Sequence, residues 1–174
     1  MSDYLYFRKE LKPRVKKPEI MAILHEYLRN VLTLPPDKII QQWQRNPPVM
    51  DMAQDWLSFG ISSRASTWQT YQQNSELLDV KRYQDLTVNL VFYGDECESN
   101  AEMLKDSFIH ADNQAFFNKN SMIQVDFGNI LTMPELIDQQ WVNRCDCSFR
   151  LRHLTTNQFD MPTILEANIN VNKE

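Results

Sequence analysis

Apolar residues recur along this chain with two distinct periods, and the switch between them sketches its elements. Ile20, Ile23, Leu24, Tyr27, Leu28 and Val31 fall at i, i+3, i+4, i+7, i+8 and i+11, one stripe of an amphipathic helix. Pro18 suits a first helical position, and Pro35-Pro36 closes the segment. Further on the period falls to two. Tyr83 to Tyr93 sets Leu86, Val88, Leu90 and Phe92 against Thr87, Asn89, Val91 and Tyr93, which predicts a strand. Met122 to Ile130 sets Ile123, Val125 and Phe127 against Met122, Gln124, Asp126 and Gly128. Trp141 to Leu154 is the longest candidate, with Cys145, Cys147, Phe149 and Leu151 on one face and Arg144, Asp146, Ser148, Arg150 and Arg152 on the other. Shorter strands are expected at Ile39–Gln44, Asp55–Ile61 and Thr163–Val171.

A second helix is expected over Ser99–Asp112, with Leu104, Phe108 and Ile109 facing the core, and a short helical turn at Pro134–Ile137. The expected fold is therefore α+β: a single domain with a twisted, mostly antiparallel or mixed sheet of about six strands and two main helices packed on it. Residues 1–17 lack a sustained period and read as an N-terminal arm carrying the basic run from Arg8 to Lys17. Residues 18–171 form the domain, and 172–174 a C-terminal tail. Within the domain, residues 62–81 are polar with scattered Trp68 and Tyr71, and read as a long polar loop.

The long strand carries a size argument. Fourteen residues at about 3.3 Å each span roughly 46 Å, whereas a domain of this length is roughly 40 Å across. The strand therefore crosses the whole body and projects, which makes its arginine-rich face a contact surface for a neighbour.

Composition narrows the function classes. The formal charge of −5 leaves no overall basic field for nucleic acid. The three glycines, Gly60, Gly94 and Gly128, are too scattered for a phosphate-cradling loop. No apolar run approaches the roughly 20 residues of a membrane helix, and Met1-Ser2-Asp3-Tyr4 lacks the order of a signal peptide. A soluble protein made inside the cell is expected, and three cysteines, an odd count, argue against a disulfide framework.

Candidate chemistry concentrates at one corner, Gly94-Asp95-Glu96-Cys97-Glu98. Gly94 allows a sharp turn off the strand, Ser99 and Glu102 fit a capping box, and the acids suit a helix N-terminus. The rival reading is a metal-dependent hydrolase built on Asp95, Glu96, Glu98 and Asp126. Cys145 and Cys147 point the same way on a strand, roughly 6.6 Å apart, and read as buried structural thiols short of a ligand set. His25 reads as a helix-surface residue, and His110 as sitting near a helix end where an imidazolium suits the dipole. With His153 at the end of the long strand, the three are scattered singly and suggest no base paired with a nucleophile.

The order of segments adds a resemblance. Phe92-Tyr93-Gly94 ends a strand, and an acidic turn and Asn100-Ala101-Glu102-Met103-Leu104 follow. Gly128-Asn129-Ile130, Pro134-Glu135-Leu136-Ile137 and a strand opening Gln140-Trp141-Val142-Asn143-Arg144 come next. Across roughly residues 38 to 171 this order resembles a phage neck, or tail-terminator, family, departing from its pattern at Cys145-Asp146-Cys147, where only packing is touched. The resemblance implies a virion structural protein, not an enzyme, with no cofactor and no catalytic residues. It implies subunits, made in the bacterial host cytoplasm, that form a ring, usually a hexamer. The ring caps the tail tube protein, meets a head-completion or connector protein, and passes DNA through a channel without specific binding. Another tail-tube or head-completion adaptor is the alternative. From this sequence alone, the expected subunit contacts are Arg144, Arg150, Arg152, Trp68 and Tyr71.

Overall fold

The computed structural model describes residues 17–51, 53–73 and 77–160. The N-terminal arm before Lys17, the strand expected at Thr163–Val171 and the C-terminal tail lie outside the described residues. The chain opens with helix α1 (Lys17–Val31), a short 3-10 turn (Pro36–Lys38), and strands β1 (Ile39–Gln41), β2 (Trp56–Gln73) and β3 (Leu77–Tyr93). Helices α2 (Cys97–Phe108) and α3 (Ala111–Lys119) follow, then β4 (Met122–Phe127), β5 (Leu131–Thr132), β6 (Glu135–Ile137), β7 (Gln140–Val142) and β8 (Arg144–Asp160). The main sheet runs β1-β2-β3-β8-β4, with β5 also on β8, and β6 and β7 form a separate hairpin. β1 joins β2 in parallel and the other pairs are antiparallel, so the α+β class and the mixed sheet are as expected.

The core lies on one face of this sheet. Leu86, Val88, Leu90 and Phe92 of β3 line up with Cys145, Cys147, Phe149 and Leu151 of β8, all buried as their alternation requires. The stripe of α1 closes over them: Ile20, Leu24, Tyr27 and Leu28 are buried, and the Tyr27 ring meets Phe117 of α3 at 4.7 Å and Phe149 edge-on at 6.2 Å. Burial pushes the Tyr27 phenol up to about 12, against the opposing pull of its hydrogen bond with Ser107.

Several elements differ from expectation, each for a physical reason. The described residues of the segment read as a polar loop over 62–81 are instead the distal half of β2 and the start of β3, paired from Ser63↔Thr87 to Gln73↔Leu78 with a register shift between Ser66 and Trp68. None of the core residues lies in it, so neither face carries the apolar row by which a strand is recognised. The single second helix is two, because the chain breaks after Phe108. Ile109 is the C-cap and three-quarters exposed, not core. Pro134–Ile137 is not a helical turn but leads into β6, joined to β7 by Asp138-Gln139, both at positive φ. Two successive left-handed residues make the tight hairpin whose usual signature, a glycine, is missing here. In β4 a register shift between Gln124 and Asp126 lets Met122 and Phe127 both turn inward, five residues apart, which strict alternation forbids.

The projection follows from strand length. The 17 residues of β3 span roughly 56 Å, and its partners β2 and β8 match it in length. The helices cover only the half from Leu86 to Tyr93. Beyond the last β4 pair at His153, Trp68–Gln73 with Leu77–Tyr83 and Leu154–Asp160 extend as a three-stranded arm.

Candidate functional site: acidic corner and projecting arm

The corner at Gly94 is built by three segments meeting. Gly94 has φ of +105°, and a Cβ there would lie 2.1 Å from the Asp55 carboxylate, so both the turn and the close approach require glycine. Its N–H donates to the Asn143 carbonyl at 3.1 Å, which ties the end of β3 to the break between β7 and β8. The capping box expected at Ser99 is not formed. The helix starts at Cys97, Glu96 makes no side-chain cap, and Asp55 Oδ1 accepts from the Glu96 N–H at 3.0 Å instead. A carboxylate from 41 residues earlier thus serves the helix end, an arrangement that local spacing cannot reveal.

The four candidate carboxylates do not converge. Asp95 Oδ1 accepts from Asn143 Nδ2 at 3.4 Å, and Glu98 Oε1 accepts from the Thr132 hydroxyl at 2.6 Å. Asp126 takes both oxygens to Arg150 on β8, whose hydrogen bonds hold its carboxyl below the usual range. Among the described residues no group of three or more His, Cys, Asp or Glu is placed to hold a metal ion. Glu96 instead borders an open groove of about 660 Å³ with Lys38, Asp55, Asn100 and Met103, between the end of α1 and the start of α2.

The histidines are equally dispersed. His110 caps the N-terminus of α3, where its Nδ1 accepts from the Asp112 N–H at 3.4 Å. It therefore acts as an acceptor at the positive end of one helix, the opposite of the imidazolium role expected of it. His25 is half-buried against Phe59, with ring centroids 6.2 Å apart, rather than on the free helix surface. His153 is fully buried where the arm leaves the core. Its Nδ1 lies 3.4 Å from the Thr155 hydroxyl and its Nε2 has no partner. Burial, with a smaller contribution from Arg64, holds its pKa below the ordinary value, so it is neutral in the fold.

The sheet face opposite the helices carries the arginine row, and each of the three is engaged within the chain. Arg152 forks onto Asp85, its cross-strand neighbour, at 2.8 and 3.0 Å, and Arg150 pairs with Asp126. Arg144 reaches both Asp146 (2.7 Å) and Glu135 (2.8 Å) and lies 5.8 Å from the Tyr93 ring centre. It thereby fastens the β6–β7 hairpin to the sheet end, where Trp56 stacks on Tyr93 at 4.1 Å. Trp68 and Tyr71 sit on the arm, both more than half exposed: Trp68 beside Tyr83 on the arginine face, and Tyr71 opposite Val80 on the other. Sequence reasoning missed a further apolar display, Leu136 and Trp141. These are direct cross-strand partners on the β6–β7 hairpin and are 57% and 74% exposed, so no described residue covers them.

Asp55, Asp95, Glu98, His110, Asp126 and the three arginines are thus committed to caps, turns and internal pairs. Exposed aromatics mark the arm on one side and a small hairpin on the other. This is the build of an α+β domain with apolar side chains displayed at both ends of its long strands. The chain belongs to the family of the phage neck terminator protein, whose model matches residues 19–174. The family is a structural one, and its members are virion components. No curated protein matches the chain.

Proposed function

We propose that the subunit assembles into a ring, a hexamer, that ends the tail tube, meets a head-completion or connector protein, and leaves a central channel through which DNA passes without specific binding. The observation that carries this reading is the three-stranded arm. It extends past the core, and among the described residues the outer edge of β2 beyond Phe59 has no strand partner. An open edge of this length is a template for pairing with another chain. Trp68 and Tyr71 lie on that same strand and supply the apolar contact, and Arg144, Arg150 and Arg152 present a row of ion pairs to the neighbouring subunit. The negative net charge suits a channel along which DNA slides rather than sticks.

The exposed Leu136–Trp141 pair lies at the opposite end of the strands from the arm tip, because β6 and β7 are held at Tyr93 and Arg144. A subunit with different surfaces at its two ends suits a junction between two unlike partners. The test combines native mass with electron imaging of the purified protein mixed with isolated tail tubes. Rings that sit on tube ends are expected, and a strictly monomeric protein that leaves tubes uncapped overturns the reading. If a label on the chain marks head vertices before tails join, the subunit is a head-completion adaptor instead.

A further inference from the structure

We propose that Cys97 and Cys145 form an oxidative modification site, a buried dithiol that takes an intrachain disulfide linking the start of α2 to the start of β8. The two thiols come from distant parts of the chain, 48 residues apart, and their sulfurs lie 2.9 Å from each other. Both are free and buried. A disulfide needs sulfurs about 2.05 Å apart, so closure asks for a movement of roughly 0.9 Å. Cys147 is the competing partner. It lies two residues further along the same face of β8, roughly 6.6 Å on, too far to bond Cys145 without distorting the strand.

The site also has a cover that can open. Thr132 of the two-residue strand β5 lies across Cys145, with its oxygen 4.0 Å from the sulfur, and its hydroxyl is hydrogen-bonded to Glu98 of α2. Lifting β5, or fraying the first turn of α2 that begins at Cys97, exposes the pair. The co-reactant is a small-molecule disulfide. The Cys97 thiolate attacks one of its sulfurs and releases one small thiolate. The Cys145 sulfur then attacks the Cys97 sulfur of the mixed disulfide and expels the second. The two protons of the protein thiols end on the two released thiols, and two electrons pass from protein to small molecule. Burial holds the Cys97 thiol protonated, so the reaction is slow at neutral pH and speeds as pH rises. A virion component moves from a reducing cell interior to oxidising surroundings, which sets when the bond forms. That timing rests on the neck reading, whereas the bond itself does not.

The experiment uses oxidised glutathione on the full-length protein in two arms: native protein at about pH 8.5, and protein refolded from denaturant in a glutathione redox buffer. Free thiols are then alkylated and counted by intact mass, and linked peptides are mapped. The expected product leaves one alkylated thiol, Cys147, and a peptide joining Cys97 to Cys145. Its melting temperature is higher by about 5–15 °C, given the long loop closed, and dithiothreitol reverses the change. C147S should give the same product, and C97A and C145A should give none. Three alkylated thiols in the refolding arm, or a dominant pairing through Cys147, overturns the proposal.

Discussion

Gly94 and His153 show how single residues hold this fold. At Gly94 a side chain meets two obstacles together, a left-handed backbone and the Asp55 carboxylate that serves α2. Gly94→Ala should therefore destabilise the protein by about 1–3 kcal/mol, read as a lower urea midpoint. Asp55→Ala should not recover that loss, because it removes the carboxylate but leaves the Asp55 Cα 2.8 Å from the new Cβ, keeps the backbone strain and takes away the acceptor of the Glu96 N–H. His153 makes a pH prediction whose sign is fixed by its depressed pKa. Between that lowered value and the ordinary one of about 6.5, the unfolded chain binds a proton that the folded chain refuses, so stability falls as pH drops below about 6.5. The carboxyls of Asp85 and Asp126 are also lowered, by the hydrogen bonds of Arg152 and Arg150, but they act in a separate window. Their contribution is present above about pH 4 and is lost as pH falls through their depressed values. H153Q should flatten the urea midpoint between pH 7 and 5 and leave the acid transition below pH 4 in place, and an unchanged profile refutes the assignment.

At the scale of elements, the sheet divides into a half backed by helices and a distal half whose described residues, past the buried His153 and Thr155, are half-buried or exposed. Backbone amides in Leu86–Phe92 lie among buried side chains, whereas those of Ser63–Ser66 and Trp68–Gln72 lie among mostly exposed ones. Hydrogen exchange should therefore run much faster in the distal part of β2 than in the stretch of β3 beneath α1 and α2. Truncating Phe149, which touches Tyr27, Phe108 and Phe127, should destabilise by about 3–5 kcal/mol, whereas Trp68→Ala should change stability by less than about 1 kcal/mol. Calorimetry checks both. The two halves were also unequally legible. The core strands announced themselves through Leu86, Val88, Leu90 and Phe92, because a buried face enforces period two. Residues 62–81 read as a loop because their described side chains form no buried row, and without one a strand shows no period of two. The β6–β7 hairpin was missed because Asp138-Gln139 adopts a glycine-type turn without glycine.

For the whole molecule, the contrast between the arm and the Leu136–Trp141 end yields a separable prediction. Replacing Trp68 and Tyr71 by serine should lower ring assembly measured by native mass while leaving the circular dichroism of the subunit unchanged. Replacing Leu136 and Trp141 by serine should leave assembly intact and weaken attachment to one neighbouring partner, scored by imaging of joined particles. Failure of both pairs to alter either readout would remove the arm and hairpin from the contact map. The acidic corner belongs to this scale as well. Its residues were visible in the sequence, but their partners, Asp55, Thr132 and Asn143, come from three distant segments.

The sequence by itself determined the α+β class, the inward faces of α1, β3 and β8, the turn at Gly94 and the order of segments that marks the family. These are local properties, written in periodicity and in single-residue backbone preferences. Only the tertiary structure decided that the polar stretch is an arm, that the arginines are already paired, that the carboxylates diverge, and that Cys97 meets Cys145. Each of those depends on which distant strand or helix lies alongside, and pairing at long range leaves no period in the chain to read.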